Sequence, residues 1–140
     1  MPNVELFVTP GYGEAMVKRL RYSQALRIGD RVETSGQGGW DDEFNIPEAL
    51  DAEIRLAFDN LTRTLALAGA KWSDVVHINS YHVIDDERGA SWEDHNAVMT
   101  PQFAEHLGDV APIWTQSGVT SLGLPAMRVE IRVTAILNQT

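Results

Sequence analysis

Few residues in this chain have the chemistry to act on a substrate. Four histidines, His77, His82, His95 and His106, stand five, thirteen and eleven residues apart. Those spacings match no zinc pattern, and strand alternation would turn His77 and His82 to opposite faces. No metal centre is expected. His82, next to Tyr81 near the end of a strand, reads as a weak candidate proton carrier, because imidazole titrates near neutrality. Ser35 lies in Thr34-Ser35-Gly36-Gln37-Gly38, without the Gly-x-Ser-x-Gly spacing of a strained serine nucleophile. Gly36, Gly38 and Gly39 are followed by no Gly-Lys-Ser/Thr and lack the Rossmann spacing. They read as turn glycines whose bare backbone admits a ligand, with Trp40 beside them to line the opening. The chain has no cysteine, which removes disulfides, thiolate nucleophiles, zinc ribbons and iron–sulfur clusters together.

The clearest pattern is C-terminal. Val129, Ile131, Val133, Ala135 and Leu137 alternate with Arg128, Glu130, Arg132, Thr134 and Ile136, which is a strand with one apolar and one mostly polar face. The polar face offers Glu130, Arg132 and Thr134 to a ligand or to another subunit. Glu130 is either the partner of an arginine at an interface or a carboxylate that positions or deprotonates water. Arg132, Arg128 and Arg21 are cations for an anionic ligand, or else members of salt bridges. Taken alone, Trp114 reads as core packing, and Tyr22 as a half-buried strand tyrosine.

The elements that must position these groups follow from periodicity. Ser23 to Gly36 reads as two strands joined at Gly29-Asp30. Pro47 to Ala68 reads as a helix, with Ile54, Phe58, Leu61 and Leu65 on one face and Gly69 as its stop. Asp74 to Val83 reads as a strand. Ser91 to His106 reads as a second helix capped by Ser91, with Pro101 expected to kink or break it. Ile113 to Ser121 and Met127 to Leu137 close the chain as strands. Gly11-Tyr12-Gly13 reads as a turn. Two helices and about six strands imply an α+β sheet with its helices on one face. The opposite face would need a cover, which a homo-oligomer supplies.

At 140 residues, 44% hydrophobic and 22% charged, the chain is sized and composed as a single folded domain over 1–140. Eleven basic against twenty acidic residues give a formal charge of −9, which repels phosphate backbones and disfavours a nucleic-acid partner. No apolar run approaches the ~20 residues of a membrane span. The first residues lack the basic start and apolar stretch of a signal peptide, so a cytoplasmic protein is expected.

Tyr22-Ser23-Gln24-Ala25-Leu26-Arg27-Ile28-Gly29-Asp30 followed by Ser35-Gly36-Gln37 resembles the opening of the YjgF/RidA family, also called the L-PSP or reactive-intermediate-deaminase family. The resemblance continues through Leu56-Ala57-Phe58-Asp59-Asn60-Leu61, Ala68-Gly69-Ala70, Asp74-Val75-Val76 and Val129-Glu130-Ile131, across about residues 20–137. It implies a chorismate-mutase-like fold: a six-stranded, mostly antiparallel sheet with two helices on one face, assembled as a homotrimeric barrel. It also implies three small-molecule clefts between subunits, and hydrolysis of enamines and imines to a keto acid and ammonia without a cofactor or metal. Carried over by position, Tyr22 and Ser35 border the cleft, Asn96 comes from the second helix, and Glu130 orients water. The family's substrate-holding arginine falls on Trp114, within Pro112-Ile113-Trp114-Thr115. That stretch resembles the YjgH-like branch.

A guanidinium forks a carboxylate, whereas an indole has one donor and a flat apolar face. The leading expectation is therefore a cofactor-independent imine or enamine hydrolase with Glu130 and Tyr22 as catalytic residues. Trp114, Ser35, Gly36, Asn96, Arg132 and Trp40 would shape a site for a larger or less anionic substrate. The alternatives are a non-catalytic small-molecule binder or sensor on the same scaffold, and a different reaction in the same cleft. The endoribonuclease description attached to the family is disfavoured by the charge.

Overall fold

In the computed structural model, which describes residues 3–137, the chain forms seven strands and three α-helices. Residues 1, 2 and 138–140, the ends of the single domain expected over 1–140, lie outside the described residues. Strand β1 (Val4–Phe7) leads into α1 (Tyr12–Leu20), then into a hairpin of β2 (Ala25–Ile28) and β3 (Arg31–Thr34). The hairpin turns at Gly29-Asp30, where Gly29 takes φ 60°, a left-handed conformation that a side chain would resist. The short β4 (Gln37–Gly38), α2 (Leu50–Leu67), β5 (Val75–Val83), α3 (Trp92–Leu107), β6 (Ile113–Val119) and β7 (Val129–Ile136) complete the chain.

The sheet order is β1-β2-β3-β7-β5-β6, with β4 also pairing β7. Every pairing is antiparallel except β5 with β6, whose connection runs through α3, the kind of crossover a parallel pair requires. The six-strand path is the mostly antiparallel α+β sheet expected, and the two-residue β4 adds a seventh strand. The helix count differs. Tyr12–Leu20 is a helix where Gly11-Tyr12-Gly13 reads as a turn, and Gly13 sits inside its first turn. Tertiary packing outweighs that propensity penalty: Tyr12 is fully buried and its hydroxyl donates to Gln37 Oε1 at 2.6 Å. Pro101 also does less than expected, because α3 is continuous through it. Ser91 caps α3, accepting from the Asp94 amide while Asp94 accepts from the Ser91 amide, both at 3.0 Å.

β7 alternates as its sequence dictates. Val129, Ile131, Val133 and Ala135 are buried beneath the helices. From α2, the fully buried Ile54, Phe58, Leu61 and Leu65 meet them, each contributing about 1.5–3 kcal/mol of apolar burial. The same helix buries Glu53 completely. Its carboxylate accepts from the Arg128 amide and from Arg128 Nε, both at 2.7 Å. Arg128 Nη2 donates to the carbonyls of Pro47 and Glu48, so one guanidinium clamps the start of β7 to the approach of α2. Burial raises the Glu53 pKa, and the Arg128 hydrogen bonds and charge pull against that rise. Arg128 is thereby committed to structure.

Arg128→Ala should cost about 3–5 kcal/mol, because it leaves a buried carboxylate without its cation. Urea denaturation against wild type measures this. A loss below about 1 kcal/mol, the value of an exposed pair, would show that the clamp contributes nothing special.

Candidate active site

Glu130 is the second residue of β7, paired with Gly38 on β4 and with Tyr81 on β5. Its side chain leaves the sheet past Gly36. A Cβ at position 36 would lie 2.6 Å from the Glu130 carboxyl carbon, so glycine there is a steric requirement for this glutamate. The carboxyl enters a cleft of about 230 Å³. Met16 and Arg19 come from α1, Tyr22 from the segment after it, Trp40 and Phe44 from the loop before α2, and Met127 from the approach to β7. Trp40 is buried and set edge-on to Tyr12, with ring centroids 5.7 Å apart. Tyr22 Oη donates to Met16 Sδ at 3.0 Å.

Among the described residues, no group donates a hydrogen bond to the Glu130 carboxyl and no cation pairs with it. Burial alone pushes its pKa above the ordinary glutamate value. Tyr22 is likewise raised, by burial first and then by the nearby Glu130 charge. An unpaired carboxyl in apolar surroundings with an upward-shifted pKa is the arrangement that makes a carboxylate a usable acid or base near neutrality.

The structure gathers Glu130, Tyr22 and Trp40 in this cleft, with Gly36 against the Glu130 side chain. Ser35 lies behind it: its Oγ donates to the Gln24 carbonyl at 3.3 Å and accepts from Gln37 Nε2 at 3.1 Å, which holds the glycine loop. Arg132 lies two residues further along β7, with Arg31, Glu33, His77 and Asn79 around a separate polar recess.

Trp114 and Asn96 belong to a second region. Trp114 pairs with Ile78, on the helix-bearing side of the sheet, and packs edge-on to Phe103 at 4.9 Å. Its Nε1–H donates to Ser80 Oγ at 2.9 Å. Ser80 Oγ lies 2.8 Å from His82 Nε2, and His82 Nδ1 lies 2.8 Å from His95 Nδ1. His95 Nε2 faces the Val83 carbonyl at 3.2 Å. Only one set of protons satisfies this chain. His95 donates to Val83, His82 donates to His95, Ser80 donates to His82, and the indole donates to Ser80. Gln116 Nε2 donates to Asn96 Oδ1 at 2.7 Å beside it. His82 is therefore a neutral, buried link and has no contact with the Glu130 cleft.

Sequence reasoning missed Met16, Arg19, Phe44 and Met127. The first two were hidden with α1, although Tyr12, Met16 and Leu20 recur at intervals of four, the period of one helix face. Among the described residues, no cluster of three or more His, Asp or Glu is arranged to hold a metal, and no helix is long and apolar enough to cross a membrane.

The histidine pair predicts a pH response. Burial, and then the His95 charge, depress His82 from 6.5 to about 3, and burial depresses His95 as well. The unfolded chain binds these protons near pH 6.5 and the folded chain does not, so stability from the pair is complete above that pH and lost as pH falls below it. The slope is about 1.4 kcal/mol per pH unit for each histidine. Denaturation of wild type and of His82→Gln/His95→Gln between pH 7 and 5 should give a flatter profile for the variant. Parallel profiles would contradict the assignment of neutral imidazoles.

Comparison with known proteins agrees with the fold. The Endoribonuclease L-PSP family model matches residues 13–137. The RutC family protein YjgH of Escherichia coli is 34% identical over 128 residues, covering 91% of this chain and 92% of that protein. A solved structure of protein YjgH superposes with a TM-score of 0.78 at 32% identity, covering 96% of each chain. A 2-iminobutanoate/2-iminopropanoate deaminase of Dermatophagoides farinae is 37% identical over 62 residues, 43% of this chain and 48% of that protein. With its mixed sheet, its ordered sequence blocks, the family model over residues 13–137 and a relative 34% identical over most of both chains, the chain belongs to the Endoribonuclease L-PSP family, which is the YjgF/RidA family.

Proposed function

We propose that this protein hydrolyses the C=N bond of a small imine, or of the enamine that tautomerises to it, in the cleft floored by Glu130. The observation that carries the reading is the unpaired, desolvated carboxyl at the base of an apolar pocket. Water adds to the imine carbon while the Glu130 carboxylate takes one of its protons. That proton passes to the nitrogen to give the neutral carbinolamine. The carboxylate then takes the carbinolamine hydroxyl proton as the carbonyl forms and delivers it to the departing nitrogen as the C–N bond breaks, which releases the carbonyl compound and ammonia. A base with a raised pKa performs both transfers better than an exposed glutamate, because its proton affinity lies nearer that of the reacting groups at working pH. Tyr22, Trp40 and Met127 exclude bulk water and fix the plane of the substrate. The partial likeness to a 2-iminobutanoate/2-iminopropanoate deaminase supports the substrate class.

Trp114 and Asn96 enter this reading only through assembly. They lie on the opposite side of the sheet from Glu130, near the edge strand β6, so a homotrimer would let one subunit bring them to a neighbour's cleft. The exposed Ile113, Trp114 and Val110 along that edge are apolar surface for such a contact.

Glu130→Gln should slow ammonia release from 2-iminopropanoate generated in solution by about 10²–10⁴-fold, with the fold unchanged by circular dichroism. The wild-type rate should rise with pH through the raised Glu130 pKa. An unchanged rate in the variant would remove Glu130 from the chemistry. Tight retention of a ligand with no ammonia from either protein would favour a binding role.

A further inference from the structure

Arginine is absent from position 114, and the tryptophan there cannot replace it. Its single donor is already spent on the buried Ser80. The Glu130 cleft has a cation of its own. Arg19, in the last turn of α1, lines the same pocket as Glu130 and Tyr22. Among the described residues its guanidinium makes no hydrogen bond or ion pair. Arg19 also leaves the Glu130 carboxyl unneutralised, since burial alone shifts that group. Arg19 thus lines the cleft as an exposed cation that forms no ion pair with Glu130 among the described residues.

The surrounding charge favours an anion. The chain carries a formal charge of −9, yet the segment from Ala15 to Gly29 contains Lys18, Arg19, Arg21 and Arg27 and no acidic residue. Arg27 is occupied by the carbonyls of Gly29 and Ala68. Lys18 and Arg21 line the adjoining groove on the other side of Tyr22, and their side chains make no hydrogen bond or ion pair among the described residues. Three unpaired cations at one edge of a cleft in an acidic protein make a local positive field that concentrates and steers anions.

We propose that Arg19 is the substrate-carboxylate anchor of this protein, a specificity-determining residue on α1. This rests on the hydrolase reading and names the residue that selects an anionic substrate. The carboxylate sits at the mouth on the guanidinium fork, the C=N carbon over Glu130, and the alkyl group against Met16, Trp40 and Met127.

The test uses butanoate and its uncharged isostere butanamide as unreactive probes, with affinities from NMR titration of the full chain. Wild type should bind butanoate at least about tenfold more tightly than butanamide. Arg19→Gln should erase that preference and leave butanamide affinity unchanged, and Arg19→Lys should restore part of it. Arg21→Gln, with the same change in net charge, should weaken butanoate less than about threefold. Unchanged butanoate binding in Arg19→Gln, equal losses in the two glutamine variants, or equal affinity of wild type for both probes would each overturn the anchor. The hydrolase reading is judged separately. Binding that depends on Arg19 with no ammonia release leaves the anchor standing and removes the hydrolase. Hydrolysis of 2-iminopropanoate with KM unaltered in Arg19→Gln removes the anchor alone.

Discussion

Drawing a carboxyl group out of water without giving it a partner disfavours its charged form, and the cleft of this protein does this to the half-buried Glu130. Its place in β7 puts it there. The strand is central, its alternate residues are locked beneath α2, and the register with β4 leaves the Glu130 side chain only the path past Gly36. The surrounding walls are methionine and aromatic side chains, which shed water and return no hydrogen bond. The resulting upward pKa shift is the source of the proposed acid–base function.

A second glutamate, on α2, shows the contrast. Glu53, more deeply buried, receives two hydrogen bonds from Arg128, and that guanidinium also closes on two carbonyls. It is a satisfied ion and holds the fold together. Glu130, only two residues from Arg128 in sequence, receives no hydrogen bond or ion pair among the described residues. Two glutamates in one small core have opposite electrostatic fates, and the difference lies in whether a cation is placed to meet them. Arg19 stands at the cleft without reaching its floor, which leaves Glu130 free as a base.

Much of this was legible in the sequence, because it rests on periodicity. The alternation of β7, the four-three-four apolar spacing of α2 and the Ser91 cap each encode a backbone element locally, and the ordered blocks from Tyr22 to Ile131 carry the family. Of the residues singled out in the sequence, Glu130, Tyr22 and Trp40 line one cleft. Other features depend on contacts that no local pattern records. α1 is held by the Tyr12 hydroxyl reaching Gln37 and Thr64, and its two flanking glycines argue for a turn. The burial of Glu53 depends on an arginine 75 residues away. The Trp114–Ser80–His82–His95 chain joins three elements, so no motif spacing announces it. Trp114 and Asn96 remain apart from Glu130 within one subunit for the same kind of reason: the sheet stands between them.

The most direct measurement is a carbon-13 NMR titration of the Glu130 carboxyl, assigned by its loss in Glu130→Gln. The account predicts an apparent pKa above the ordinary glutamate value of 4.5, moving little with salt because burial and not a neighbouring charge sets it. A value at or below 4.5 would mean that water or an unrecognised donor reaches the carboxylate. The isolated base on which the proposed chemistry depends would then be absent.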